Sequence, residues 1–369
     1  MLKKYHIGII GHTGRGNYGH GIDKVWLELP DCEIVAVADA DPQGLANARK
    51  RLGGPPGFAD YHDMLAATKL DIVAVGPRWL DQHRDMVVAA AERGCHIYME
   101  KPMCRDLQEA DAMVAACEKH DVKLAIAHQT RYSPKIQVIR DLLLDGTIGD
   151  LLEIRGRGKE DHRGGGEDLW VLGSHVMNLI QTFGGHPHWC FASVLANGRP
   201  ATKADVINGN EGIGPLTGDA VHAIYGLDDG RAAYFASQRN AAGGRFGIQI
   251  FGSKGVIDLT TGHLPSAFLL PDPNWSPGRS GKDWIPISSA GLGKDEPLRD
   301  QGLHGGNLLA CRDLIAAIEE DRQPECSVYE ARTTVEMIAA VFESHRLNRP
   351  ATFPLENRKN PLTLLSESR

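Results

Sequence analysis

The sequence predicts an α/β protein in two parts: a parallel, doubly wound sheet over residues 1–127, then an α+β part over residues 128–369. Three observations carry this. Short apolar strands alternate with helical stretches through the first third of the chain. The first strand ends in a glycine-rich turn and the second in a carboxylate. From Trp189 onward the pattern changes to short β runs separated by glycine turns. A chain of 369 residues is long enough for two domains.

Composition removes several classes of function. A hydrophobic fraction of 42% with 24% charged residues is that of an ordinary globular protein. The net charge of −7 argues against a nucleic-acid or anionic-membrane surface, since both require a basic face. No apolar run approaches the roughly 20 residues needed to span a bilayer. The N-terminus passes straight into a strand, so neither a signal peptide nor a twin-arginine leader is expected. The seven cysteines are scattered and lack any Cys-x-x-Cys pair. They fit reduced thiols of a cytoplasmic protein better than a disulfide framework or a zinc site.

The first strand, His6 to Ile10, runs into Gly11-His-Thr13-Gly14-Arg15-Gly16-Asn-Tyr-Gly19. An amphipathic segment from Ile22 to Leu29 follows, stopped by Pro30, and a second strand, Glu33 to Ala38, ends in Asp39. This is the order of a dinucleotide-binding fingerprint. Turn glycines let backbone N–H groups approach a pyrophosphate at a helix N-terminus, where the helix dipole favours negative charge. Asp39 follows Gly16 at about the spacing of a carboxylate that binds the adenosine ribose. Such a carboxylate accepts from a ribose diol and repels a 2′-phosphate, which favours NAD over NADP. Arg15 is the counter-argument, because it offers charge to a phosphate. Thr13 stands where the second fingerprint glycine belongs.

The rhythm then repeats. Asp71 to Val75 reads as a strand, Gly76 to His83 as a loop containing Pro77 and Trp79, and Arg84 to Glu92 as a helix. His96 to Met99 is the next strand, followed by a helix from Leu107 to His120 and a strand from Val122 to Ala127. Right-handed crossovers put the loop after Val75 and the turn Glu100-Lys101-Pro102 on the same sheet edge as the glycine turn. Ligands of such sheets bind outside the carboxyl ends of the strands, so a lysine there is a candidate for chemistry.

The glycine turn, Asp39, Glu100-Lys101-Pro102 and Gln129-Thr-Arg131-Tyr132-Ser-Pro134 together resemble the Gfo/Idh/MocA family of sugar and polyol oxidoreductases. The resemblance runs over nearly the whole chain, including the closing segment Asn307 to Pro354. It implies a Rossmann domain followed by a domain built on a large, mostly antiparallel open sheet, with NAD(P) as cofactor. It also implies hydride transfer between the nicotinamide and a secondary hydroxyl of a sugar, an inositol-like polyol or a glycoside. By the same resemblance Glu100 touches the nicotinamide ribose, and Pro77, Trp79 and His83 line the far side of the cofactor.

In the second half, Gly173-Ser-His175 matches the family pattern whose histidine is the acid/base beside the transferred hydrogen. The apolar positions Leu172, Val176, Leu179 and Ile180 place His175 on the first turn of a helix. A histidine with a pKa of about 6.5 suits a base working near neutrality. Lys101 would hydrogen-bond the same hydroxyl and stabilise developing alkoxide charge. Many members carry Asp four residues before this histidine, where this chain has Val171, and Asp168 is the available substitute. Asn178 and Gln129 likewise replace the family's usual Asp and Asn.

Gln129, Arg131, Tyr132, Glu160, His162 and Asp168 are the candidates for substrate contact. Glu160-Asp161-His162 reads as extended chain, whose alternating side chains cannot converge on one ion, so no metal is expected. The missing aspartate leaves room for a redox-assisted lyase or glycosidase that recycles its NAD; a non-catalytic nicotinamide-binding regulator would require loss of the pair Lys101 and His175, and both are present.

Expected β runs are Leu151 to Lys159, Phe191 to Leu195, Ala220 to Tyr225, Ala232 to Gln238, Phe246 to Phe251 and Val256 to Leu259. Leu264 to Leu303, rich in Pro, Gly and Ser, reads as a long surface excursion or a lid. Helices follow from His304 to Ile318 and from Val328 to Leu347. A sheet with one uncovered face commonly buries it against a second copy, so a homodimer or homotetramer through the C-terminal sheet is expected.

Overall fold

The computed structural model describes residues 4–241 and 245–366. The first three residues, on which the expectation of no leader partly rests, lie outside them. The chain forms two compact units. One comprises Met1–Gln129, Asn210–Gly214 and Leu303–Val335, and the other Thr130–Gly209, Pro215–Gly302 and Glu336–Arg369.

The first unit is built on six strands: β1 (Tyr5–Ile10), β2 (Cys32–Ala38), β3 (Gly57–Phe58), β4 (Ile72–Val75), β5 (His96–Met99) and β6 (Leu124–Ile126). Their order is β3-β2-β1-β4-β5-β6 and every pairing is parallel. The strand order therefore reverses at β1, whose neighbours are β2 and β4. The interior strand β4 and the edge strand β6 are buried at every position, as a sheet covered on both faces demands.

Crossover helices begin at side-chain caps. Asp41 accepts from the Gly44 N–H at the start of α1 (Pro42–Arg51), with proline at the first helical position. Asp60 caps α2 (Tyr61–Ala67) in the same way, α3 spans His83–Ala91, and Asp106 caps α4 (Leu107–Lys119). The sequence reading passed over α1, β3 and α2, although Asp41-Pro42 and Asp60 are helix-start signals.

One expected helix is absent. Ile22 to Leu29 holds only a 3₁₀ turn, Val25–Glu28. Gly19 and Gly21 just before it adopt φ of +61° and +88°, which breaks any continuous helix out of the glycine turn. The amphipathic pattern is real, since Ile22, Val25 and Trp26 are buried, but it is packed as a turn.

In the second unit α5 spans Pro134–Leu144, and Ser133 caps it. The large sheet contains β7 (Leu151–Arg157), β8 (Trp189–Ala196), β9 (Arg199–Pro200) and, after the small β10–β11 pair (Ile207–Asn208 with Pro215–Leu216), β12 (Ala220–Gly226) and β13 (Ala232–Gln238). It continues through β14 (Gly247–Gly252), β15 (Val256–Thr260), β16 (Ala267–Leu270), β17 (Ile285–Ser288) and β18 (Gly291–Leu292), and β19 (Ala351–Thr352) completes it. The order is β18-β17-β16-β15-β14-β7-β13-β12-β8-β19, with β9 also on β8. Only β7 and β13 pair in parallel; the other pairings are antiparallel.

The segment 264–303 is thus not a structureless excursion throughout: β16, β17 and β18 lie in it, with long irregular stretches around them. Ala267, Leu269, Leu270 and Ile287 are buried, so its apolar positions add strands to one edge despite the surrounding prolines and glycines.

Two helices, α6 (Gly166–Val171) and α7 (Gly173–Gly184), follow the glycine cluster. Val176 and Ile180 of α7 pack over Gly156 of β7, where a Cβ would lie 2.5 Å from Val176. The helix Val328–Leu347 closes the strand β8: Ser344 and His345 accept the N–H groups of Ala192 and Val194 at 3.0 and 3.1 Å. Those donors would otherwise leave an open, aggregation-prone edge. The opposite face of the sheet exposes Trp189, Phe191, Ile224 and Phe268 beside a shallow trough of about 620 Å³. Among the described residues no helix is long and apolar enough to cross a membrane.

Ile250 lies at the centre of this sheet with no exposed surface, level with Ile154 on one side and Ile257 on the other. Ile250→Ala should lower the unfolding free energy by about 2–5 kcal/mol in a denaturant titration, with the fold retained.

Candidate active site

The carboxyl ends of β1, β2, β4 and β5 carry the first unit's candidates. After β1 the chain forms a compact turn closed by two backbone bonds of 3.0 Å between His12 and Asn17. Gly14 and Gly16 take φ of +83° and +90°. Gly16 has a second reason to be glycine: a Cβ there would lie 2.2 Å from the Arg78 backbone nitrogen. Gly11 packs under the Tyr18 ring in the same way. No α-helix follows, so the expected helix-dipole support for a pyrophosphate is missing.

Asp39, at the end of β2, is buried and occupied. It accepts from the Thr13 N–H at 3.1 Å, the Thr13 hydroxyl at 2.7 Å, the Tyr18 hydroxyl at 2.8 Å and the Asp41 N–H at 3.0 Å. Thr13 therefore stands in a glycine's place for a reason, because its hydroxyl locks the turn to β2. Burial first, and then the bond to Asp39, push the Tyr18 hydroxyl well above its ordinary pKa. Beside Asp39 lies a cleft of about 150 Å³ with an apolar floor of Ile10, Ala38 and Met86 and a rim that includes His12, Tyr61 and Gln82. Arg15, the possible phosphate ligand, is spent elsewhere: it pairs with Asp81 and lies 4.4 Å over the Trp79 ring.

The loop after β4 is held from below. His83 has no exposed surface; its Nε2 is 2.7 Å from the Pro77 carbonyl and its Nδ1 3.1 Å from those of Pro102 and Met103. Rather than lining the cofactor, His83 staples this loop to the Glu100-Lys101-Pro102 turn. Trp79 remains half-buried on the loop, and Pro77 is buried.

At the end of β5, Glu100 has no exposed surface and Lys101 only 5%. Glu100 accepts from the His20 N–H and ring Nδ1, both at 2.7 Å, and from the Lys101 N–H at 3.0 Å. Burial drives the Glu100 pKa upward, but the bonds and charge of His20, with the charge of Lys101, outweigh it and leave it below the ordinary carboxylate value. Gln129 is also buried; its amide donates to Asn307 Oδ1 at 3.0 Å, and its own Oε1 has no hydrogen-bond partner among the described residues.

The second unit holds the remaining candidates. His175 sits half-buried on the first turn of α7 and meets the Phe246 ring edge-on at a centroid distance of 6.3 Å. Val171 is buried one turn before it and Asn178 one turn after. Arg131 donates to the Thr182 hydroxyl at 3.0 Å, and Tyr132 is buried.

Glu160-Asp161-His162 is not extended chain. β7 stops at Arg157, and Glu160 has φ of +60° in the turn that follows. Glu160 points inward to Arg157 at 2.5 Å and the Gln238 N–H at 3.0 Å, Asp161 pairs with Arg163 at 2.6 Å, and His162 is exposed. Among the described residues no group of three His, Cys, Asp or Glu is placed to hold a metal ion. Asp168 is fully buried, accepting from Ser237 Oγ at 2.5 Å and the Glu160 N–H at 3.1 Å. Burial pushes its pKa up, with those bonds opposing. Both of these bonds go to Oδ2 and tie the glycine cluster to β13, while Oδ1 is buried with no hydrogen-bond partner among the described residues.

Residues 5–128 match the family description "Oxidoreductase family, NAD-binding Rossmann fold", and residues 136–258 match "GFO/IDH/MocA C-terminal domain". This chain belongs to the Gfo/Idh/MocA family. Its first unit is accordingly a Rossmann domain of the NAD-binding kind. D-apiose dehydrogenase of Paraburkholderia graminis is 35% identical over 136 residues, 37% of this chain and 36% of that protein. Myo-inositol 2-dehydrogenase of Thermotoga maritima is 27% identical over 140 residues, 38% of this chain and 42% of that protein. The chain thus spans well under two thirds of the curated relatives it matches. Levoglucosan dehydrogenase, solved with NADH and levoglucosan, superposes with a TM-score of 0.76 at 19% identity, over 95% of this chain and all of that one. That likeness is one of fold.

Tyr18, His20, Ser237 and Asn307 escaped the sequence reading. Tyr18-Gly19-His20 closes the glycine turn just before the amphipathic segment that begins at Ile22, and no local pattern marks either side chain as a donor to Asp39 or Glu100. Tyr18→Phe removes one of Asp39's donors and should cost about 1 kcal/mol of stability in a urea titration.

Proposed function

We propose that this family member is an NAD-dependent dehydrogenase that oxidises, reversibly, a secondary hydroxyl of a sugar, a polyol or a glycoside. The observation that carries this reading is Lys101: an ammonium almost removed from water, at the carboxyl end of β5, beside an ionised and fully buried Glu100. A lysine is seldom buried without a task or a partner. The dehydrogenases of apiose and inositol among its relatives support the substrate class.

Bound NAD would supply the hydride acceptor. The chain's own groups would do the rest. Residues 1–127 bind the nucleotide, with Gly11, Thr13, Gly14 and Gly16 forming its cradle and Asp39 organising the adenosine end. The engagement of Arg15 by Asp81 supports NAD over NADP, since it neutralises the charge that a 2′-phosphate would need. Lys101 hydrogen-bonds the substrate hydroxyl and stabilises alkoxide character as the proton leaves. His175 takes that proton, without an aspartate at position 171 to orient it. Gln129, Arg131 and Tyr132 position the substrate, while Glu160 and Asp168 shape the loop around it. Residues 128–369 also supply the oligomer contact, through the exposed sheet face that carries Trp189, Phe191 and Ile224.

Lys101→Ala and His175→Ala should each bind NADH as the wild type does in a fluorescence titration, yet lose about 10²–10⁴-fold in turnover on the best hit of a polyol and sugar panel. Full turnover in either variant would sink the assignment. Separately, Phe191→Glu should halve or quarter the mass seen by light scattering; an unchanged mass would refute the sheet-face oligomer.

A further inference from the structure

The family resemblance gives Glu100 the nicotinamide ribose, but in this chain the Glu100 carboxylate has no free side. One oxygen takes both the N–H and the ring Nδ1 of His20, and the other takes the Lys101 N–H. The side chain has no exposed surface through which a ribose could reach it. The contact is built in rather than incidental. Gly19 adopts φ of +61°, and a Cβ there would lie 2.4 Å from Glu100 Cγ, so the turn has been brought as close to the carboxylate as a backbone can come.

His20 is fixed from every direction but one. Its N–H and Nδ1 go to Glu100, and its carbonyl accepts from Asn307 Nδ2 at 3.0 Å. Asn307 is itself held, because its Oδ1 accepts from the Tyr98 hydroxyl at 2.8 Å and from Gln129 at 3.0 Å. The His20 side chain is 31% exposed, and no hydrogen bond to its Nε2 is found among the described residues. A histidine whose Nδ1 is held by a carboxylate presents Nε2 in a fixed direction, ready to accept from a hydroxyl or, when protonated, to donate to one.

The strand order says which part of a dinucleotide would meet it. Asp39 lies at the end of β2, on one side of β1, in a small cleft lined also by Ala38, Ala40 and Tyr61. His20 and Glu100 lie on the other side, where Gly19 packs against Gly76 at the end of β4 and Glu100 at the end of β5. A dinucleotide lying across the switch point with its adenosine toward β2 carries its second ribose toward β4 and β5. We propose that His20, oriented by Glu100, is the residue of this chain that hydrogen-bonds the ribose of the nicotinamide half. Glu100 is then a positioning residue. This rests on the reading of the glycine turn as the cofactor site.

Calorimetric titration of the whole protein with ADP, ADP-ribose and NADH tests it, because only the last two carry the second ribose. His20→Ala should bind ADP like the wild type and bind ADP-ribose and NADH about tenfold more weakly, the size of one hydrogen bond. His20→Gln, which keeps a polar group there and disturbs the turn less, should recover part of the loss. Equal affinities of wild type and both variants for all three ligands would overturn the proposal. So would a matching loss for ADP, which would mean that His20 merely holds the turn together. A wild-type protein that binds neither ADP nor NADH would instead refute the cofactor site itself.

Discussion

A carboxylate cut off from water organises the edge of the first unit on which its polar turns gather. Glu100 is tolerable in its buried position only because three N–H groups point at its two oxygens. Two of those donors come from His20, which brings the end of the glycine turn against the end of β5. Through the His20 carbonyl the same network reaches Asn307, on the helix Gly302–Glu319, and from there Tyr98 and Gln129. Lys101, the glycine turn and a helix two hundred residues away in sequence are therefore positioned by one set of hydrogen bonds. Asp39 performs the corresponding task at the end of β2, where Thr13 and Tyr18 close the turn onto it.

This arrangement changes what the glycine turn is. In the usual fingerprint a helix starts directly after the turn, and its dipole and free N–H groups meet the pyrophosphate. Here Gly19 and Gly21 redirect the chain, and the segment that would have been the helix is folded into the core as a 3₁₀ turn. The turn is held by side chains instead: Asp39 on one flank, Glu100 on the other, and the Arg78 backbone pressed against Gly16. In the second unit buried acids serve a similar purpose. Glu160 and Asp168 satisfy N–H groups and a hydroxyl across the glycine cluster that leads into α6 and α7, and so fix the start of the helix that carries His175.

Much of this was legible from residue patterns. The alternation of strand and helix, the apolar strands β1, β4 and β5, the turn at Glu100-Lys101-Pro102 and the helix carrying His175 all follow from local periodicity and punctuation. The misreadings share a cause. Ile22 to Leu29 has helical periodicity but the wrong backbone angles before it. The segment 264–303 looks like a loop by composition, yet enough buried apolar positions remain to extend the sheet. Glu160 to His162 look extended by their place after β7, but the left-handed conformation of Glu160 turns the chain. His83, Glu160 and Asp168 looked like ligands because polar residues in a loop usually face water, whereas each is buried with internal partners.

The sequence by itself determined most of the elements, the parallel character of the first sheet and the edge on which its polar turns gather, because these depend on short-range periodicity and on glycine, proline and capping residues. Only the tertiary structure decided which polar groups remain available to a ligand. Asp39 and Glu100 are recognisable as carboxylates at strand ends, but whether their oxygens are free depends on donors such as Tyr18, His20 and, behind them, Asn307. Such pairings join residues far apart along the chain, and no local pattern records them. The backbone places the carboxylates at the site, and long-range hydrogen bonding decides that His20 is the group left facing outward.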